Sequence, residues 1–289
     1  MALETNERPV GERAGFDRRL SPLVAFLLAA ALLPVVTLAG VAPLLTGPLG
    51  LETTPWLGVG VTILGASLLL GLALAVLRAE GVGLAAVGLT PSLARRGVLW
   101  FAGVVLAVNF LLLVLGTTVA DSWEFALAGV PPALYVGLAV SQWVFVGLAE
   151  ELAGRAYLQN KLVALFGGER DVPRRAGAIL VMAVLFALWH VPQRLVVAGR
   201  TPAELPEALL PLVGFALVLG VLYELTRNVV LVALVHGALN LPPIFLSVFG
   251  SESWQSVVSL AAIALPFLVG VYVYRRWLST PPRRPTTPV

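Results

Sequence analysis

The sequence predicts an all-α fold, a polytopic membrane helix bundle of about eight transmembrane helices with the N and C termini cytoplasmic. Three observations predict it. Of 289 residues, 58% are hydrophobic and 12% charged, against roughly a quarter charged in an ordinary soluble domain. The apolar residues gather in runs of about 20, the length a helix needs to cross a hydrocarbon layer about 30 Å thick. Arg-rich and acidic segments alternate between those runs, and basic residues mark the cytoplasmic side.

The runs fall at residues 21–45, 56–77, 98–120, 130–153, 177–198, 207–225, 228–249 and 254–274. The first is far longer than a signal-peptide core of about 7–15 residues and lacks a small-residue cleavage site, so it reads as a retained span. One side of the membrane receives Arg8, Arg13, Arg18 and Arg19, then Arg78, Arg95 and Arg96, then Lys161, Arg170, Arg174 and Arg175, then Arg227, and finally Arg275, Arg276, Arg283 and Arg284. The other receives Glu52, Asp121, Glu124, Arg200, Glu204, Glu207 and Glu252. Trp56, Trp100, Trp254, Tyr274 and Trp277 sit at span ends, where headgroup anchoring is expected. The domain reading is a polar tail over 1–20, a helix bundle over 21–274 with a polar motif core at about 130–250, and a basic, Pro-rich tail over 275–289.

Composition also excludes. Nineteen Lys and Arg against sixteen Asp and Glu leave +3, too sparse a field for a nucleic-acid partner. Without Cys there is no disulfide, thiolate ligand, iron–sulfur cluster or Cys nucleophile. No internal repeat, Gly-rich phosphate loop or heptad array is present, and the 28 Gly suit close helix packing in lipid. Only two His occur, His190 and His236, so imidazole chemistry rests on them.

An ionisable group inside a span costs about 2.5–3.5 kcal/mol on insertion scales. Three sites carry polar groups at that cost. EELAGR places Glu150, Glu151 and Arg155 at the end of the fourth span; FALWH places Phe186 and His190 in the fifth; HGALN places His236 and Asn240 on one face of the seventh. The i, i+4 spacing pairs Glu151 with Arg155 and leaves Glu150, about 100° away, as the candidate base. Taken singly, the Glu–Arg cluster reads equally well as a solvated cap, His190 as a satisfied core imidazole, and His236 with Asn240 as interhelical glue worth about 0.6–2 kcal/mol. Together they supply what water-driven acyl hydrolysis requires: a base for the water, and donors or a metal for the oxyanion.

The ordered set EELAGR, FALWH, HGALN resembles the EExxxR, FxxxH and HxxxN or HxxxD pattern of the CPBP family of intramembrane proteases, which includes CaaX prenyl endopeptidases of the Rce1 type and the Abi proteins. The resemblance implies an intramembrane endopeptidase. In it, Glu150 deprotonates the attacking water, Glu151 with Arg155 orients that base, His190 and Asn240 stabilise the oxyanion, and His236 holds the water or a metal. It leaves two routes open. One uses a divalent metal such as zinc, with His190, His236 and Glu150 as ligands; the other is a metal-free Glu/His mechanism. It implies a peptide or protein substrate at or in the membrane, prenylated or otherwise membrane-associated, or a role in bacteriocin maturation or immunity. The oligomeric state stays open. All but one of the basic residues are Arg, a bias that points to a GC-rich prokaryotic host and so to its plasma membrane, with the active site towards the cytoplasm.

Other intramembrane proteases fit less well. Neither His is followed by Glu, as a zinc HExxH helix needs; Ser67 lies in a span without His; and Asp17, Asp121 and Asp171 all lie outside the spans. The alternative from another class is a non-catalytic scaffold or a small-solute or proton carrier using the same polar cluster, which predicts paired repeats and broken helices. Depth poses the sharpest structural question. Counted from the Arg-rich face, His236 lies roughly 12 Å deep and His190 roughly 20 Å, with Glu150 much shallower. A tilted fourth helix, or one that continues into the cytoplasm, brings them level.

Overall fold

The computed structural model describes residues 15–118, 124–125, 130–168, 170–247 and 253–279. Eight long helices run through them: α1 (Ser21–Thr46), α2 (Pro55–Ala79), α3 (Pro91–Thr118), α4 (Pro132–Phe166), α5 (Val172–Val197), α6 (Leu205–Thr226), α7 (Val229–Asn240) and α8 (Ser253–Ser279). Six helical segments, α1 to α6, are long and apolar enough to cross a membrane, and large apolar side chains such as Leu28, Leu106 and Leu210 face outward, as lipid allows. The fold is the expected polytopic helical bundle, and the chain is an integral membrane protein.

Local chemistry sets the helix ends. The Thr54 hydroxyl accepts from the Leu57 N–H at 3.2 Å and opens α2, and the Asp171 carboxylate accepts from the Arg174 N–H at 3.0 Å and opens α5. Gly167, at φ +67°, closes α4 in the left-handed region that favours glycine. Between α6 and α7 the break is sharp. Arg227 takes φ +49°, and the Asn228 side chain then caps α7 by accepting from the Leu231 N–H at 3.1 Å.

The expected seventh span, 228–249, is corrected. α7 is 12 residues long, about 18 Å, because Pro242 and Pro243 follow Asn240 and cannot continue a helix. The fourth span is corrected in the other direction: α4 continues to Phe166, and residues 151–164 are buried without a break. Those residues escape a hydropathy reading because they are polar and paired. Lys161, expected in an Arg-rich loop, lies inside α4. Its Nζ donates to Glu80 Oε2 at 2.7 Å and to the Asp17 carbonyl at 2.6 Å, while the Tyr157 hydroxyl donates to Glu80 Oε1 at 3.1 Å. Asn160 donates to the Tyr223 hydroxyl at 2.9 Å, which in turn donates to the Val87 carbonyl at 2.8 Å.

By contacts the chain divides into two compact units, residues 1–97 with 131–242, and residues 98–130 with 243–289. In the first, α4 packs on α2, α5 and α7, and α5 packs on α6. The α4–α7 approach depends on two glycines: a Cβ at Gly147 would meet the Ala233 carbonyl oxygen at 2.3 Å, and one at Gly237 would meet Trp143 Cα at 2.4 Å. Gly147→Ala is therefore expected to cost about 1–3 kcal/mol through overpacking and to lower the apparent Tm in detergent. Gly214→Ala, with open space around it, serves as the control and should leave Tm unchanged.

In the second unit, Val108 and Leu112 of α3 pack on Ala262 of α8. The Asn109 amide donates to the Pro243 carbonyl at 2.9 Å and its oxygen accepts from the Phe245 N–H at 2.8 Å. A two-residue antiparallel ladder pairs β1 (Glu124–Phe125) with β2 (Leu246–Ser247). Trp100 and Tyr274, expected as headgroup anchors, are buried; Trp100 stacks edge-on against Phe267 at 5.6 Å. Packing partners inside the unit compete successfully for these rings. Trp56 is half exposed. Arg8, Arg13, Asp121, Glu252, Arg283 and Arg284, with residues 1–14 and 280–289 of the two tails, lie outside the described residues, as do the side chains of Glu124, Trp254 and Trp277.

Candidate active site

The two glutamates sit mid-helix. Glu150 and Glu151 belong to a short α-helical stretch, Gly147–Glu151, held between two π-helical stretches, Val140–Val146 and Leu152–Gln159. Such wide turns shift side-chain register and recur at functional positions. Because α4 continues to Phe166, Glu150 lies roughly 24 Å from its C-terminal end, level with the imidazoles. That continuation resolves the apparent depth mismatch.

Glu151 is fully buried and ion-paired to Arg155, Nη1 to Oε1 at 2.8 Å, as the i, i+4 spacing predicts. Arg155 is fully buried too: its Nη2 donates to the Ala216 carbonyl of α6 at 3.2 Å, and its guanidinium lies 5.0 Å over the Phe186 ring of α5. The same Glu151 oxygen lies 2.6 Å from His236 Nδ1. A carboxylate only accepts, so Nδ1 carries the proton and Nε2 is left to face Glu150 Oε2, 3.7 Å away. One imidazole thus stands between the two glutamates.

His190 ends the α-helical part of α5. Its Nδ1 lies 2.7 Å from the Phe186 carbonyl, to which it must donate, and its Nε2 accepts from Trp189 Nε1 at 3.3 Å. Asn240 donates to Gln142 Oε1 at 3.2 Å, and Trp143 donates to the Leu241 carbonyl at 2.9 Å, which fastens the end of α7 to α4.

Glu150, His190, His236 and Asn240 all line one cavity of about 410 Å³. Its opposite wall is apolar, with Leu33 and Pro34 of α1 and Val61 and Leu69 of α2. Glu151 and Arg155 stand behind the polar wall and set the position of His236. Gln142, Trp189 and Arg194 reach the same cavity and were missed in the sequence. Arg194 carried a signal, since an ionisable residue inside 177–198 needs a reason; Gln142 and Trp189 carried little, because nothing in their spacing links them to Asn240 or His190.

The three suggested metal ligands do not present three converging donors. Both nitrogens of His190 are engaged by Phe186 and Trp189, and His236 Nδ1 by Glu151, which leaves His236 Nε2 and Glu150 as a facing pair. Among the described residues, no three His, Cys, Asp or Glu side chains are grouped to hold a metal ion. The arrangement fits two donors and a water better than a three-ligand zinc site.

Residues 106–242 match the family model for type II CAAX prenyl endopeptidase Rce1-like proteins. This segment is Rce1-like. It contains all six of the sequence-predicted site residues. No curated protein and no solved structure matches the chain. The Rce1-like family is a family of proteases, so the coarse function is that of a membrane-bound endopeptidase acting on peptide substrate at the membrane.

Proposed function

We propose that the Rce1-like segment hydrolyses a peptide bond with a water activated by Glu150. The observation that carries the reading is the placement of Glu150 and both imidazoles on one cavity wall, with His236 Nε2 3.7 Å from Glu150 Oε2. That gap is wider than a direct hydrogen bond and accommodates a water that donates one proton to Glu150 and the other to Nε2. As the water oxygen bonds to the scissile carbon, its proton passes to Glu150 and the carbonyl becomes an oxyanion. Collapse expels the amine, which takes the proton from Glu150. Asn240, turned from Gln142, donates its amide N–H to the oxyanion. His190 has no spare N–H in the neutral form seen here, so it assists the oxyanion once Nε2 is protonated and its contact with the Trp189 indole is given up. Glu151 and Arg155 hold the His236 tautomer.

The proposed substrate is a membrane-associated or lipid-linked peptide, which the apolar wall from α1 and α2 favours. We place the enzyme in a prokaryotic plasma membrane, with the cavity reached from the cytoplasmic side, and read the route as metal-free because the donors do not converge. The test is cleavage of a fluorogenic peptide library by detergent-purified protein. His236→Ala should lose all detectable cleavage, Asn240→Ala should lower kcat by about 10²–10³-fold with KM little changed, and a chelator should leave the wild-type rate unaltered. Undiminished cleavage by His236→Ala would overturn the reading and favour a scaffold or carrier.

A further inference from the structure

The cavity holds a second fixed charge that this mechanism does not use. Among its described lining residues only Glu150 and Arg194 carry one. Arg194 follows His190 by four residues, with its backbone N–H donating to the His190 carbonyl at 2.9 Å, so both side chains rise from one face of the same turn. Its Nε is buried and meets no hydrogen-bond partner. Its guanidinium enters no ion pair among the described residues. A surface-seeking arginine near a helix end would carry its polar atoms to the headgroups; this one keeps a donor withdrawn in the cavity wall. An unpaired guanidinium there is a planar anion receptor in a low-dielectric setting, which strengthens its hold on a carboxylate.

We propose that Arg194 is an anion subsite that binds the C-terminal carboxylate of the peptide substrate. The inference rests on the hydrolytic reading above and adds a substrate class to it: peptides cut within a few residues of a free C-terminus. The terminal carboxylate is the one anion that such a peptide brings whatever its sequence. The opposing apolar wall of α1 and α2 gives the intervening residues surface to bury.

Two fluorogenic peptides of one sequence, ending in a free carboxylate or an amide, test this with the detergent-purified full chain. Wild type should favour the acid by about 10- to 100-fold in kcat/KM, mostly through KM. Arg194→Gln should cleave the amide at the wild-type rate and lose the preference, whereas Arg194→Lys should keep part of it, a point charge without the bidentate fork. Equal cleavage of both peptides by wild type, or a preference that survives in Arg194→Gln, overturns the proposal. Binding to Glu150→Gln, read by fluorescence anisotropy, needs no turnover. The acid should bind tighter, and the difference should vanish when Arg194→Gln is added. That difference without any cleavage by wild type would refute the hydrolysis and keep the subsite; no difference would refute the subsite. An amidated peptide ending in Glu that binds as tightly as the acid would assign the subsite to a side-chain carboxylate and overturn the terminal one.

Discussion

Glu150→Gln is expected to reduce kcat by about 10³-fold or more while leaving the apparent Tm in detergent where it was. A positioned general base contributes about 10²–10⁴-fold, and in the proposed mechanism Glu150 serves twice, taking the proton of the water and returning it to the leaving amine. The isosteric amide keeps the cavity shape and cannot accept that proton. Stability should hold because the Glu150 side chain is one-fifth exposed and its nearest charged partner, His236 Nε2, is 3.7 Å away. Single-turnover rates and thermal unfolding on the same preparation separate the two effects. A variant that cleaves at the wild-type rate removes Glu150 from the chemistry.

Arg155→Met should behave in the opposite way, with stability as its first loss. Arg155 and Glu151 are both fully buried and paired at 2.8 Å, and removing one partner from such a pair costs about 3–5 kcal/mol because the other charge is left without compensation. The loss should appear as a large drop in apparent Tm. The double variant Glu151→Leu/Arg155→Met discards both charges and should recover much of the stability, since apolar replacements of a buried pair are often neutral or better. It should still fail to cleave, because His236 Nδ1 then loses the carboxylate that fixes its tautomer. Recovery of cleavage together with stability would show that the pair serves folding alone. Full stability of the single variant would show that the guanidinium is not needed there at all.

Several of these relations were legible in the sequence. The Glu151–Arg155 pair follows from a spacing of four on one helix, and the six site residues stood out because polar groups inside apolar runs need a reason. The length of α4 did not stand out. Arg155, Gln159, Asn160 and Lys161 interrupt the apolar run and suggest an exit from the membrane. Each is nonetheless buried, because partners from other elements satisfy it: Ala216, Gly220, Tyr223 and Glu80. The end of α7 was written in Pro242 and Pro243, but an apolar stretch that continues past them masked the stop.

By itself the sequence determined that the chain is a membrane helix bundle, because composition and charge alternation are read residue by residue against a fixed slab thickness. It also determined which side chains had to be explained. Only the tertiary structure decided that His236 stands between Glu150 and Glu151, with 85 residues separating it from the bonded carboxylate, and that Arg194 shares their cavity. Helical periodicity fixes neighbours three or four apart, whereas contacts between helices depend on crossing geometry set by close approaches such as Gly147 and Gly237, which no spacing along the chain records.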